Sequence, residues 1–151
     1  MVRHLFLDIA RQHSSANVFL ENLFSASASL ERKYWGFQLF QKLLLAGPKR
    51  RIVNVIFSHN LMRSLINHLS NKDRFLFRAA DRSVKVIYEA VQADPDITIP
   101  VLSNLISGHG AYNFDQTTKT KTVYKLISQT EGPTAGTVVQ ILRKCALEVQ
   151  E

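Results

Sequence analysis

Apolar residues recur at three- and four-residue spacing along almost the whole chain, and no segment alternates to give a strand with one apolar face. Residues 118–122 do alternate, but both faces there are polar. Such a pattern confines the chain to helices that bury an apolar stripe against other helices. It predicts helices over 2–12, 16–24, 30–46, 52–57, 59–69, 74–92, 97–107, 118–128 and 135–149, and an all-α class. The breaks between them have their own chemistry. Gly47-Pro48 is a strong stop, because Gly accepts the left-handed C′ conformation and Pro cannot continue a helix. Ser58 is placed to cap a helix starting at His59, Asp73 to cap the next, and Asp96 to cap the one after the Asp94-Pro95-Asp96 turn. Gly108-His109-Gly110 and Gly132-Pro133-Thr134 mark the later boundaries.

The longer helices start near 30, 73 and 117, which is 43 and then 44 residues apart. HEAT and armadillo repeats have periods of about 40 to 47 residues. The leading architecture is therefore an α-solenoid of HEAT/armadillo-like helix pairs, a single helical-repeat domain over 1–151 or a segment of a longer array. A compact, non-repeating bundle would give nearly the same pattern.

The run from Asn113 to Val123 places Lys119 and Lys121, with four threonines, where a helix should begin. A helix N-terminus carries partial positive charge, so lysines there are mildly disfavoured and an anion would relieve the conflict. Phosphate is one such anion. Asp115 acting as a cap is the other, and it needs no ligand.

Asn113-Phe114-Asp115, followed by Thr118-Lys119-Thr120-Lys121-Thr122-Val123, resembles a signature of the DNA polymerase phi family, also called the Myb-binding protein 1A family. Tyr34-Trp35-Gly36-Phe37-Gln38-Leu39-Phe40-Gln41-Lys42 and the stretch from Leu65 to Leu76 are similar to it too, in matching order and spacing over about 30–126. The resemblance implies an armadillo-like fold and a nucleolar setting. It also implies a role in ribosomal RNA production, ribosome assembly and binding of transcription regulators, without a cofactor. Members of that family are much longer, so the chain looks like one segment.

Net charge is +7, from 19 basic and 12 acidic residues, and its distribution is uneven. Residues 31–85 hold twelve basic against three acidic side chains, a surplus that suits an anionic polymer or an acidic partner. Arg74, Arg78, Arg82 and Lys85 share one face of the helix predicted over 74–92, opposite Phe75, Leu76, Ala79, Ala80, Val84, Val86, Ile87 and Val91. Exposed arginines at four-residue spacing commonly form a solvated face. Here the further cations Lys49, Arg50, Arg51 and Arg63, with few acids nearby to pair them, favour a binding surface. Candidate nucleic-acid contacts are thus Lys49, Arg50, Arg51, Arg63, Arg74, Arg78, Arg82, Lys85, Lys119 and Lys121. Trp35, Phe37, Phe40, Phe75 and Phe77 read as core rather than as base-stacking rings, since their spacing is that of apolar packing.

Catalytic patterns are missing. The histidines His4, His13, His59, His68 and His109 lack zinc-site spacing, and Asp94 and Asp96 read as caps. No carboxylate set converges on paired metal ions as a polymerase requires, and neither a P-loop nor a dinucleotide-binding glycine pattern occurs. The expectation is a protein without enzymatic activity, metal, cofactor or small-molecule substrate. Cys145, the single cysteine, reads as a buried inert thiol. Asp8 and Arg11 interrupt the one short apolar run near the start, which argues against a signal peptide, and no window reaches the length of a membrane span. A cytosolic or nuclear setting follows, with Lys49-Arg50-Arg51 a weak import motif.

Two functions fit these features. One is a nucleolar scaffold contacting ribosomal DNA, preribosomal RNA, or ribosome-assembly and transcription-regulatory proteins. The other is an adaptor whose groove takes an acidic or amphipathic peptide, such as a transcription-regulator segment.

Overall fold

Ser29 and Ser58 show how locally the helices are specified. Each takes an extended backbone and accepts the N–H three residues on, Ser29 from Arg32 at 3.2 Å and Ser58 from Leu61 at 3.2 Å. The computed structural model describes residues 13–72 and 74–150. The helix predicted over 2–12 and the cap expected at Asp73 lie outside the described residues. The described helices are α1 (His13–Leu23), α2 (Leu30–Leu45), α3 (Arg50–Ile56), α4 (His59–Leu69), α5 (Phe77–Ala93), α6 (Thr98–Ile106), α7 (Phe114–Thr118), α8 (Thr122–Ser128) and α9 (Pro133–Gln150). A 3-10 turn (Pro95–Ile97) joins α5 to α6, and no strand occurs among the described residues. The fold is all-α.

Three boundaries differ from the sequence reading, each for a visible reason. The helix expected to begin at Arg74 begins at Phe77, because residues 71–76 run through successive tight turns, Arg74 N–H to Asn71 O at 3.1 Å and Phe77 N–H to Arg74 O at 3.0 Å. These turns bury Leu76 and leave Phe75 80% exposed, so Arg74 and Phe75 are not on the α5 wheel at all. Asp96 does not cap the helix after the Asp-Pro-Asp turn; the carboxylate of Asp94 accepts the Asp96 N–H at 3.1 Å instead. The single helix expected over 118–128 is two, α7 and α8, separated by Lys119 at φ 57°. Gly47, at φ 75°, ends α2 in the left-handed conformation expected of it.

Helices three places apart pack on one another along the whole array. α2 lies on α5 and α5 on α8; α1 lies on α4 and α4 on α7; α3 lies on α6 and α6 on α9. Hydrogen bonds follow the same rule. Asn60 N–H and Nδ2–H donate to Glu21 Oε1 and O at 2.8 and 3.0 Å, joining α4 to α1. Gln41 Nε2 donates to Ser83 Oγ at 3.0 Å and Ala79 O at 3.4 Å, joining α2 to α5. Asn104 Nδ2 donates to Asn54 Oδ1 at 2.8 Å, joining α6 to α3. Such partners stand 38 to 50 residues apart in sequence, a span that brackets the spacing of the predicted helix starts.

Between the rows lies one apolar core. Phe24 meets Phe37 edge-on at 4.9 Å between centroids, Phe40 meets Phe57 at 5.3 Å, and Leu61, Met62 and Leu65 of α4 are fully buried beside them. Cys145 is buried as expected, its thiol directed at Ile106 O and held above its ordinary pKa by burial and then by Glu148. Gly36 makes room for the ring that follows α1: a Cβ there would stand 2.6 Å from Cζ of the fully buried Phe24 ring. Helix propensity alone would make Gly36→Ala stabilising by under about 1 kcal/mol. Overpacking against Phe24 reverses the sign, and we expect a loss of roughly 1–3 kcal/mol by urea denaturation. A stabilised variant would mean that the Phe24 ring does not stand against Gly36 as described.

Candidate nucleic-acid interface

The cationic face of α5 forms because Ala79, Ala80, Val84, Val86, Ile87, Ala90 and Val91 turn inward, leaving Arg78, Arg82, Lys85 and Glu89 outside. This face is less free than its sequence suggested. Arg82 Nη1 is 3.4 Å from Glu89 Oε1, and Lys85 Nζ is 3.0 Å from Asp81 Oδ2. Exposed pairs of this kind hold by about 1 kcal/mol or less, so an incoming phosphate can exchange them. Arg78 has no ion pair among the described residues. Arg74 stands apart from the ridge, in the turn before α5.

The stronger feature lies beside α5. Lys119, Lys121 and Lys125, from the α7–α8 junction and α8, face Lys85 and Tyr88 of α5 across a cleft of about 490 Å³. The acids on its wall, Asp81 and Glu89, are those already engaged by Lys85 and Arg82. Lys119, Lys121 and Lys125 have no carboxylate partner among the described residues, so the cleft concentrates positive charge.

Asp115 builds this cleft. Its carboxylate accepts the N–H groups of Val123 and Tyr124, each at 2.9 Å, and so caps α8 from the preceding helix. It supplies the anion that the lysine-rich helix start called for. The threonines serve the same junction: Thr118 Oγ1 donates to Phe114 O at 2.7 Å, and the Thr118, Thr120 and Thr122 hydroxyls bond in series at 2.8 and 3.1 Å. Side-chain bonds of this type compete with the helix ladder and end α7 at Thr118. With the hydroxyls and Asp115 committed inward, the lysine heads are left pointing to solvent, Lys119 from a left-handed backbone that L residues seldom adopt.

The remaining candidates do not join the cleft. Lys49, Arg50 and Arg51 are exposed at the start of α3, where Arg50 Nε donates to Asp96 O at 3.3 Å. Arg63 Nη2 reaches Phe24 O at 3.5 Å and ties α4 to the end of α1. Sequence reasoning missed Lys125 and Tyr88. Lys125 follows Lys121 by one helical turn, a signal that was present and unused. Tyr88 carried none, because its role depends on α8 packing against α5. Trp35 and Phe75, read as core, are 60% and 80% exposed, whereas Phe37 and Phe40 are fully buried as expected. No group of three or more potential metal ligands gathers among the described residues.

His68, on α4, lies edge-on to Phe37 at 6.2 Å, and its Nδ1 has no hydrogen-bond partner among the described residues. Burial, then the charges of Arg74 and Lys33, hold its pKa below the ordinary 6.5.

A family model, that for DNA polymerase phi, matches residues 16–151. The chain belongs to the DNA polymerase phi family. It is 39% identical over 107 residues to the rDNA transcriptional regulator pol5 of Schizosaccharomyces pombe, covering 71% of this chain and 11% of that protein. It is 35% identical over 133 residues to the rDNA transcriptional regulator POL5 of Saccharomyces cerevisiae, covering 87% of this chain and 13% of that one. The chain thus spans about an eighth or less of the curated relatives it matches. No solved structure matches it significantly.

Two predictions follow from the geometry of this site. Asp115→Ala removes both α8 caps and should cost about 1–2 kcal/mol in urea denaturation, with the loss of helicity confined to the α7–α8 region by hydrogen exchange. Because the folded state of His68 has the lower pKa, folding releases protons and stability is complete above the unfolded value of 6.5, then falls as pH drops below it. The urea midpoint should therefore be lower at about pH 5 than at about pH 7.5, and His68→Phe should flatten that slope.

Proposed function

We propose that this chain is a nucleic-acid-binding segment of a helical-repeat scaffold that acts in ribosomal RNA synthesis and ribosome biogenesis. The observation that carries the reading is the lysine cleft between α5 and α8, in which three ammonium groups without carboxylate partners among the described residues stand beside Lys85. Phosphate contacts from such groups position a nucleic acid by its backbone and carry no base readout of their own. Stacking of helices three places apart supports an α-solenoid, in which each layer adds to an extended surface. The names of the two relatives support the rDNA setting, and with it a nuclear, nucleolar location. The role is binding rather than catalysis, and it requires no cofactor or small-molecule substrate. No helix among the described residues is long and apolar enough to cross a membrane.

An acidic peptide is the second reading, favoured by one observation: the ridge already accepts carboxylates, those of Glu89 and Asp81. Salt separates the mechanisms. Neutralising about four phosphates should weaken binding to RNA or DNA roughly a hundredfold between about 50 and 200 mM salt. Reversing Lys119, Lys121 and Lys125 to glutamate should abolish binding, while reversing Lys49, Arg50 and Arg51 should weaken it by less than about threefold, as for surface charges outside a contact. A salt response below a factor of about three would contradict phosphate neutralisation. Displacement of the nucleic acid by an acidic peptide at equal concentration would favour the adaptor.

A further inference from the structure

We infer that the surface of the α2–α5–α8 row takes single-stranded nucleic acid, with Trp35, Tyr34 and Phe75 stacking on its bases and the lysine cleft holding its phosphates. The inference rests on the nucleic-acid reading above and names the form of the ligand. Its starting point is three large rings that the fold leaves in solvent: Trp35 at 60%, Tyr34 at 45% and Phe75 at 80% exposure. Tyr34 and Trp35 meet edge-on with centroids 6.4 Å apart, so each ring keeps a face open. Neighbouring rings of the same helix, Phe37 and Phe40, are fully buried, which makes the exposure of Trp35 a feature of position rather than of a loose helix.

These rings lie along the same row as the cations. Gln41 bonds to Ala79 and Ser83 and sets α2 alongside α5. Gln41 lies toward the end of α2 yet bonds in the first turns of α5, so the two helices are offset along their length, and Phe37, one turn before Gln41, meets His68 of α4 edge-on. On this offset we place Tyr34 and Trp35, seven and six residues before Gln41, next to the turns that hold Arg74 and Phe75 and lead into α5. From Phe77, where α5 begins, to Lys85 the path along the helix is about 12 Å at the helical rise per residue. Beyond Lys85 the cleft continues with Lys119, Lys121 and Lys125. Aromatic faces followed by a cationic groove are the two parts of a single-strand site, which extends over roughly four to sixteen nucleotides in known folds. A duplex would find the phosphate contacts but offers no free base face to the rings.

Trp35 is the chain's single tryptophan and reports on its own occupancy. The intact chain is titrated with an oligouridylate and an oligothymidylate of about twelve nucleotides, and with RNA and DNA duplexes of the same length. Fluorescence of Trp35 is followed directly and affinity by anisotropy of labelled strands. Single strands should quench Trp35 and bind at least about tenfold more tightly than duplexes. Trp35→Ala and Phe75→Ala should each weaken single-strand binding roughly tenfold and leave duplex binding unchanged. A preference for uridylate or thymidylate assigns the sugar; either supports the inference. Equal affinity for single strands and duplexes with unchanged fluorescence would overturn stacking while leaving phosphate binding intact. Failure to bind any of the four ligands would overturn both readings, and circular dichroism of each variant confirms that the helices are retained.

Discussion

A buried primary amide must find hydrogen-bond partners, and Gln41 finds its partners on α5, at Ser83 Oγ and Ala79 O. That requirement sets how far along α5 the second helix lies. Shifting α2 by one turn would leave the amide unpaired in the core, at a cost of about 1–3 kcal/mol, before any apolar contact changed. The candidate surface depends on this register. It sets where the exposed Tyr34 and Trp35 of α2 fall along α5, whose own exposed face carries Arg78, Arg82 and Lys85. The same face then continues to α8, where Gln92 and Tyr88 of α5 both hydrogen-bond to Gln129.

Along this row the fold treats its charges in two ways. On α5, where the helix is regular, Arg82 and Lys85 have acids at helical spacing and pair with them. At the α7–α8 junction Asp115 is turned inward to cap α8, and Lys119, Lys121 and Lys125 have no carboxylate partner among the described residues. Capping in this segment therefore also shapes the charge of the proposed site. The carboxylate that makes the local backbone stable is the one that would otherwise have neutralised the cleft.

Much of the helical framework was legible, because it is local. The helix over 59–69 has its Ser58 cap, its apolar spacing and its end all within a dozen residues, and it forms with those bounds. The start of α5 was not legible, since Leu76 is buried in the tertiary core and residues 71–76 run through tight turns in place of one more helical turn. The division of 118–128 into two helices was equally hidden, because it arises from hydroxyl and carboxylate bonds to backbone that no periodicity records. Of the site, Lys85, Lys119 and Lys121 were marked in sequence, yet nothing there placed the last two opposite the first. Exposure of Trp35 and Phe75 ran against composition, which assigns rings of that size to cores. Only packing of helices three places apart reveals which side of α2 is exposed.

Whether Lys85 of α5 and Lys119, Lys121 and Lys125 across the cleft act as a single anion site is best tested by the reactivity of each lysine. Acetylation rates would be measured on the intact chain by mass spectrometry, with and without a single-stranded oligonucleotide. The account predicts that those four slow together while Lys49 is unchanged. Protection of Lys49 with the four cleft lysines reacting at their free rates would contradict it.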